Sequence, residues 1–520
     1  MNPKYPGSAP NKLYRALEIL PGVLAWGTLV LMVVLSRYVP FWVAVFIIFF
    51  DTYWLFKCIY MSLHLRATFQ KMKKIAKEDW LKKLKEHGGW EGIRHLVIFP
   101  MYKETYAVVR ETFEALVRAN YPLNNFIVVL ALEGRAEESV AGESTIEIGR
   151  KIKEEFGNKF LELIITTHPD GISGELAGKG ANCTWAAREA KKFIDSSKIP
   201  YENILVSTFD VDTQIYQDYF SRLTYVYLTS SNRDHASYQP IPLFTNNIYE
   251  TNLFARVVSF SSTFWHMMNQ ARPERLTTFS SHSMPFKALV EIGFWAVDHV
   301  SEDSLIFWQC YMHYDGNWHV VPLIYPVSMD SNAARTFWQT MVNIYKQNRR
   351  WGWGVENVPY MLYGFIKNPR IPLGKKWYWG FNIVESFHSW ATNTLIIFAL
   401  GWLPIILGGK AFNATLIAHN MPDIIRWIMW ITMFGIVTYA TVSAALLPPK
   451  PEWFRARHYL LYLAQWVIMP VTLIVFGTIP GLEAQTRLML GGKFRLGFWV
   501  TPKDRKMKGA NAAAFTPLKG

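Results

Sequence analysis

Apolar stretches long enough to cross a bilayer stand toward both ends of this 520-residue chain, and a long block of ordinary soluble texture lies between them. A helix needs about 20 mostly apolar residues to span the hydrocarbon core. Residues 16–35 are apolar apart from Glu18, and Arg37 and Pro40 close the stretch. Residues 41–63 form a second segment, with Asp51 and Lys57 inside it. Three more are expected at 387–407, 424–447 and 459–479. In lipid every backbone group must be satisfied within the segment, so these are helices. The block between them must build its own core.

Composition agrees. The chain is 51% hydrophobic and only 18% charged, with 22 Trp, which suits a protein partly solvated by lipid. Its net charge of +14 is explained by basic loops beside the spans. No run of basic residues interleaved with aromatics points to nucleic acid. Residues 66–94 carry nine Lys or Arg against four Asp or Glu, which places that side in the cytoplasm. Five crossings from a cytoplasmic N-terminus put the C-terminus outside. The tail from Glu483 has eight basic residues against two acids and prefers the inside. Pro470 and Pro480 allow a broken or re-entrant last segment, and a cytoplasmic tail is expected. The first segment lacks a small-residue cleavage site and is read as retained. Asp51 and Lys57 are six apart, off the i,i+4 pairing, and such charges face protein, a water-filled path or the interface. Cys58, Cys183 and Cys310 are too scattered for a disulfide framework or a zinc site.

From residue 94 to about 324 the texture alternates. Strands are expected at 95–99, 126–132, 161–166 and 204–209, and helices at 105–119, 144–156 and 181–194. That alternation implies a mostly parallel, doubly wound α/β sheet. Ligands bind such sheets beyond the carboxyl ends of the strands. Glu104, Glu133 and Asp210 all fall at or just past such ends. Residues 335–351 and 358–366 are read as helices along the membrane interface, with core packing as the alternative. The chain divides into 1–65 (arm and two spans), 66–330 (α/β domain), 331–386 (interface helices), 387–482 (about three spans) and a basic tail, 483–520.

Three short motifs carry candidate chemistry. Asp210-Val211-Asp212 offers two carboxylates one residue apart, the donor type for a hard divalent cation on a diphosphate. Alone it reads more readily as a strand-end turn with solvated acids. Ser301-Glu302-Asp303 opens a helix. Acids there suit the dipole, and Asp303 is the candidate base for a sugar hydroxyl. Gln347, Arg350 and Trp351 share a helix face; guanidinium suits phosphate and indole suits a pyranose face, or the group is a snorkelling belt. Lys179, in Gly178-Lys179-Gly180, opens another helix that favours anions. His282 lies between the acid motifs; other histidines are scattered.

Together these motifs, in this order and between spans, resemble the family 2 glycosyltransferases, in particular the cellulose synthase and hyaluronan synthase branch. The resemblance covers residues 94–351. Pro100, Tyr102 and Glu104 look like the family's opening Pro-x-Tyr-Asn-Glu, with Lys103 where Asn is usual. Glu133 stands where the family often has an Asp near the nucleotide base. Lys179 and Asn182 fit a Lys-Ala-x-x-x-Asn segment loosely, and Ser301 replaces a Thr. The segment 498–503 is similar to one near the end of related synthases. The resemblance implies a GT-A domain and an inverting transfer. Donor contacts fall to Pro100, Tyr102, Glu104, Glu133, Lys179, Asp210 and Asp212, with Asp212 on Mg2+ or Mn2+. Asp303 becomes the base, and Glu302, Gln347, Arg350 and Trp351 meet acceptor and diphosphate. The partners implied are a nucleoside-diphosphate sugar (UDP favoured), a polysaccharide or lipid acceptor, and membrane lipid. A plasma (inner) membrane protein with a cytoplasmic catalytic domain is expected. A non-enzymatic transporter or scaffold is the rival from another class.

Overall fold

The computed structural model describes residues 11–497 and Trp499; the remainder of the expected 498–503 segment and of the basic tail lies outside them. Eight strands form one mixed sheet: β1 (Arg94–Met101), β2 (Phe126–Glu133), β3 (Glu162–His168), β4 (Ile204–Thr208), β5 (Gln214–Ile215), β6 (Ala236–Leu243), β7 (Ser283–Pro285) and β8 (His319–Ser328). Their order is β3-β2-β1-β4-β7-β6-β8-β5. The first four are parallel, as the alternation predicts. β7 joins β4 and β6 antiparallel, β8 returns parallel to β6, and β5 edges β8 antiparallel.

Period-two patterning buries both faces. Val97, Phe99, Phe126, Val128 and Leu130 enter one core; Leu96, Ile98, Ile127, Val129 and Ala131 enter the other. The helices Tyr106–Val117 and Thr145–Phe156, which follow β1 and β2, contribute to the first core. Lys179–Ser196, which follows β3, contributes to the second. The connection therefore changes face between β3 and β4, and the crevice opens beyond the ends of β1 and β4.

Among the described residues four helices are long and apolar enough to cross a membrane: Lys12–Tyr38, Pro40–Ala76, Leu416–Ala445 and Ala456–Leu490. The second runs well past the expected end at residue 63. Leu65, Phe69, Met72 and Ile75 recur at helical spacing and pack into the first core, so one continuous helix joins span and sheet. The expected span at 387–407 is instead two helices, Leu373–Phe398 and Leu400–Leu407, bent by 51°. The segment in which Pro470 and Pro480 allow a broken or re-entrant helix is one helix, Ala456–Leu490, with a 3-10 stretch at Gln465–Ile468 and a π stretch at Leu473–Thr478. Lys57 meets Glu385 at 3.7 Å and lies over the Trp54 ring, so its charge faces protein. Asp51 is buried. The helix Phe337–Gly352 leaves Phe337 and Trp338 exposed. The helix Asn357–Lys367 differs from the interfacial expectation, because Val358, Met361 and Phe365 pack into protein cores.

Candidate active site

Lys179 is the centre of the site. Its helix starts at Gly178, and Gly180 lets it press close; a Cβ there collides with Ala296 O and crowds Glu302 Cβ. Asn182 then donates to Ala131 O of β2 at 2.9 Å, and Thr184 to Trp295 O at 2.9 Å, which fixes the helix start. The Lys179 side chain, only 9% exposed, reaches Asp210 Oδ1 at 2.8 Å and Asp303 Oδ1 at 3.0 Å. It also donates to Asp303 Oδ2 at 3.2 Å and to Ser280 Oγ at 3.4 Å. Burial opposes its charge, but Asp210, Asp303 and Glu302 outweigh that and hold the ammonium well above the ordinary lysine value.

Asp212 is fully buried at the end of β4. Its Oδ2 accepts the Asp330 N–H at 3.0 Å. Asn246 Nδ2 donates both to Asp212 O and to Asp330 Oδ1 at 3.0 Å. The Asp-x-Asp turn is thus braced by residues just past β6 and β8, which the sequence reading did not single out. The carboxylates of Asp210 and Asp212 are hard oxygen donors of the kind Mg2+ or Mn2+ takes. Among the described residues no group of three or more His, Cys, Asp or Glu forms a metal cluster.

Glu302 and Asp303 open the helix Glu302–His313. Glu302 is buried, and its Oε1 has no hydrogen-bond partner. Burial, then the neighbouring Asp303, push its carboxyl well above the usual range, while Lys179 and Arg350 pull the other way. Arg350 of the Phe337–Gly352 helix is therefore close to this acid, although nothing in sequence order links them. Trp351 sits 6.3 Å from the Phe244 ring, and Gln347 lies half-buried one turn earlier. Ser301 stands at the cap position but its side chain makes no cap bond to the helix. The N–H groups of Val300 and Ser301 instead go to Glu356 Oε1, at 3.1 and 2.8 Å.

His282 is buried. Its Nδ1–H donates to Phe279 O at 2.9 Å, and its Nε2 has no partner. Burial pushes its pKa down to about 4 against the pull of Asp303. It is a neutral imidazole close enough to feel both Asp303 and Lys179.

The other predicted residues gather in a second cluster, at the ends of β1 and β2. Pro100 pairs within the sheet opposite Ala131. Glu104 Oε2 accepts the N–H groups of Tyr102 and Lys103 at 2.8 and 3.1 Å, so it shapes its own loop. The Arg135 guanidinium lies 5.0 Å over the Tyr102 ring and 3.3 Å from Glu133 Oε1. His168 bridges two carboxylates, with Nδ1 3.2 Å from Glu133 and Nε2 2.9 Å from Glu175. Its hydrogen bond to Glu133, then that to Glu175, raise its pKa despite burial. Arg135, His168 and Glu175 have no local sequence signal; β2 and β3 being neighbours brings them together.

No family model and no curated protein matches this chain. Solved structures do. A mannosyltransferase from Pyrobaculum calidifontis in complex with GDP-Man and Mn2+ is similar at TM-score 0.39 and 14% identity, over 81% of this chain and 97% of that one. TarS 1–349 of S. aureus in complex with UDP-GlcNAc is similar at TM-score 0.36 and 12% identity, over 68% and 91%. At scores this low the likeness carries no weight, and the function must come from the site.

Proposed function

We propose that the chain is an inverting glycosyltransferase that moves a sugar from a nucleoside diphosphate, UDP favoured, onto a growing polysaccharide at a membrane. One observation carries this reading: a single buried ammonium joins the Asp-x-Asp turn to the Asp303 helix start. A donor diphosphate placed over that turn meets Lys179, with Arg350 also near Glu302. The acceptor hydroxyl attacks the anomeric carbon from the opposite face, and its proton passes to Asp303. The bond to the diphosphate oxygen breaks, and the diphosphate leaves with the electron pair. Lys179 and Arg350 stabilise the negative charge that grows on it. A divalent cation held by Asp212, with Asp210, would add charge neutralisation there.

The Glu133–Arg135–Tyr102 cluster offers a carboxylate, a guanidinium and a ring face at the neighbouring strand ends, chemistry that suits a nucleobase. Trp351 offers the acceptor sugar an apolar face. Transfer to a lipid is the second reading. It is favoured by the exposed Phe337 and Trp338, which begin the helix that carries Arg350 and Trp351.

The test is radiolabelled transfer by the full chain in lipid nanodiscs, with Mn2+ and a panel of UDP- and GDP-sugars. A large, glycosidase-sensitive product supports the polymer reading, and a small organic-soluble one the lipid reading. No incorporation and no nucleotide release from any donor would sink both.

A further inference from the structure

Asp303 owes its direction to a helix start that its own cap residue does not hold. The two residues that lead into it are held from elsewhere. Glu356 follows Trp351 by five residues, at the end of the short 3-10 turn Trp353–Glu356. Its Oε1 accepts both Val300 N–H and Ser301 N–H, and its Oε2 accepts the Trp353 indole N–H at 2.8 Å. One carboxylate therefore ties three donors together from two parts of the chain. Asn357 adds a parallel tie, donating to Ser304 Oγ at 2.7 Å. Trp353, Val355 and Val358 pack with Val300 in one apolar cluster, which excludes water from the contact. Burial raises the Glu356 carboxyl, and the nearby His299 and the Ser301 bonds pull it back.

We infer that Glu356 is a positioning residue for the proposed transfer: it locks the segment bearing Glu302 and Asp303 to the segment that follows Arg350 and Trp351. The inference rests on the functional reading above for its catalytic consequence, but the clasp itself does not. Its chemistry is plain. Charge-assisted bonds from backbone N–H to carboxylate are stronger than neutral ones. Two such bonds fix the 299–300 and 300–301 peptide planes, one residue ahead of the plane that enters Glu302. If Trp351 seats the acceptor and Asp303 takes its proton, their relative placement is set through Glu356. A misplacement of about 1 Å costs on the order of 100-fold in rate.

The experiment uses the full chain in nanodiscs and two variants, Glu356→Ala and Glu356→Gln. Amide hydrogen exchange across residues 298–305 reads the clasp directly. UDP binding with Mn2+ reads the donor site. Steady-state transfer reads the chemistry. In Glu356→Ala, exchange at 298–305 should rise while the sheet stays protected. UDP affinity should hold within about twofold, and kcat should fall on the order of 100-fold with little change in donor KM. Glu356→Gln keeps one acceptor oxygen but turns an amide N–H2 toward the Trp353 N–H, so it should recover part of the rate. Unchanged exchange at 298–305 overturns the clasp. Raised exchange with wild-type kcat overturns the positioning role. A fall in UDP affinity matching the fall in kcat overturns it too, since that marks a general structural loss. Should the wild type itself transfer no sugar, the functional reading fails, and the exchange result still decides whether the clasp exists.

Discussion

Lys179→Met tests the centre of the site without needing any substrate. The replacement keeps the length and apolar stem of the side chain and removes only the charge. Asp210 and Asp303 both lie against that ammonium, so their nearest oxygens are at most about 6 Å apart, and at an effective dielectric of about 20 their mutual repulsion is about 3 kcal/mol. In the native protein Lys179 offsets that repulsion and its own desolvation. In the variant the repulsion stands, and the neighbouring Glu302 adds to it if it ionises. The two aspartates are 32% and 22% exposed, so water recovers part of the loss, and about 3 kcal/mol serves as the order of magnitude. For a domain of this size that corresponds to a drop of about 6 to 12 °C in Tm. Intrinsic tryptophan fluorescence in nanodiscs at neutral pH reads the melt. The decisive comparison is the double variant Lys179→Met with Asp303→Asn. Removing one of the two facing charges removes their mutual repulsion and should restore most of the lost stability, a coupling on the order of 1 to 3 kcal/mol. A single variant that melts with the wild type, or a double variant no more stable than the single, would refute the account of Lys179 as a bridge between charged acids.

Three further outcomes are expected. Asp303→Asn should cut transfer by about 100-fold to 10,000-fold while UDP binding with Mn2+ persists; turnover at the wild-type rate would remove Asp303 as the base. Asp212→Asn should lose the Mn2+-dependent part of UDP affinity, read by calorimetry with and without the metal, and equal affinity in both would count against a metal role there. His168 has a folded pKa above its ordinary value, set first by Glu133, so the folded state binds the extra proton more tightly. Its stabilising contribution should be complete below about pH 6.5 and fade as pH rises through the raised value. Glu133 and Glu175 are the charged groups that pair with it, and Arg135 pairs in turn with Glu133. Tm measured from about pH 6 to pH 9 should therefore decline in the wild type and flatten in His168→Gln; parallel curves would refute the assignment.

The first half of the sheet was legible for a physical reason. β1, β2 and β4 are short apolar runs bounded by turn residues and followed by helical patterns, so period and length suffice. The second half was not. β6 contains Pro240 and Pro242, and β8 contains Pro322 and Pro326, residues that argue against a strand because they donate no ladder hydrogen bond. The structure accommodates them with a register shift between Gln239 and Ile241. Missing β8 meant missing Asp330 beside Asp212. Hydropathy likewise marked the apolar segments but not the 51° bend after Phe398, since composition does not register direction.

What the sequence determined by itself was chemical: which side chains are present, which lie at strand ends and helix starts, and which segments suit lipid. Those properties depend on residues within a few positions of one another. The tertiary structure decided what each group faces. Lys179 meets Asp210 and Asp303 because the helix after β3 crosses to the face where β4 ends. His168 meets Glu133 because β2 and β3 are neighbours. Glu356 holds Val300 and Ser301 because the 3-10 turn after Trp351 packs against them. Each pairing joins residues separated by tens of positions along the chain, and only the fold brings them within hydrogen-bond distance.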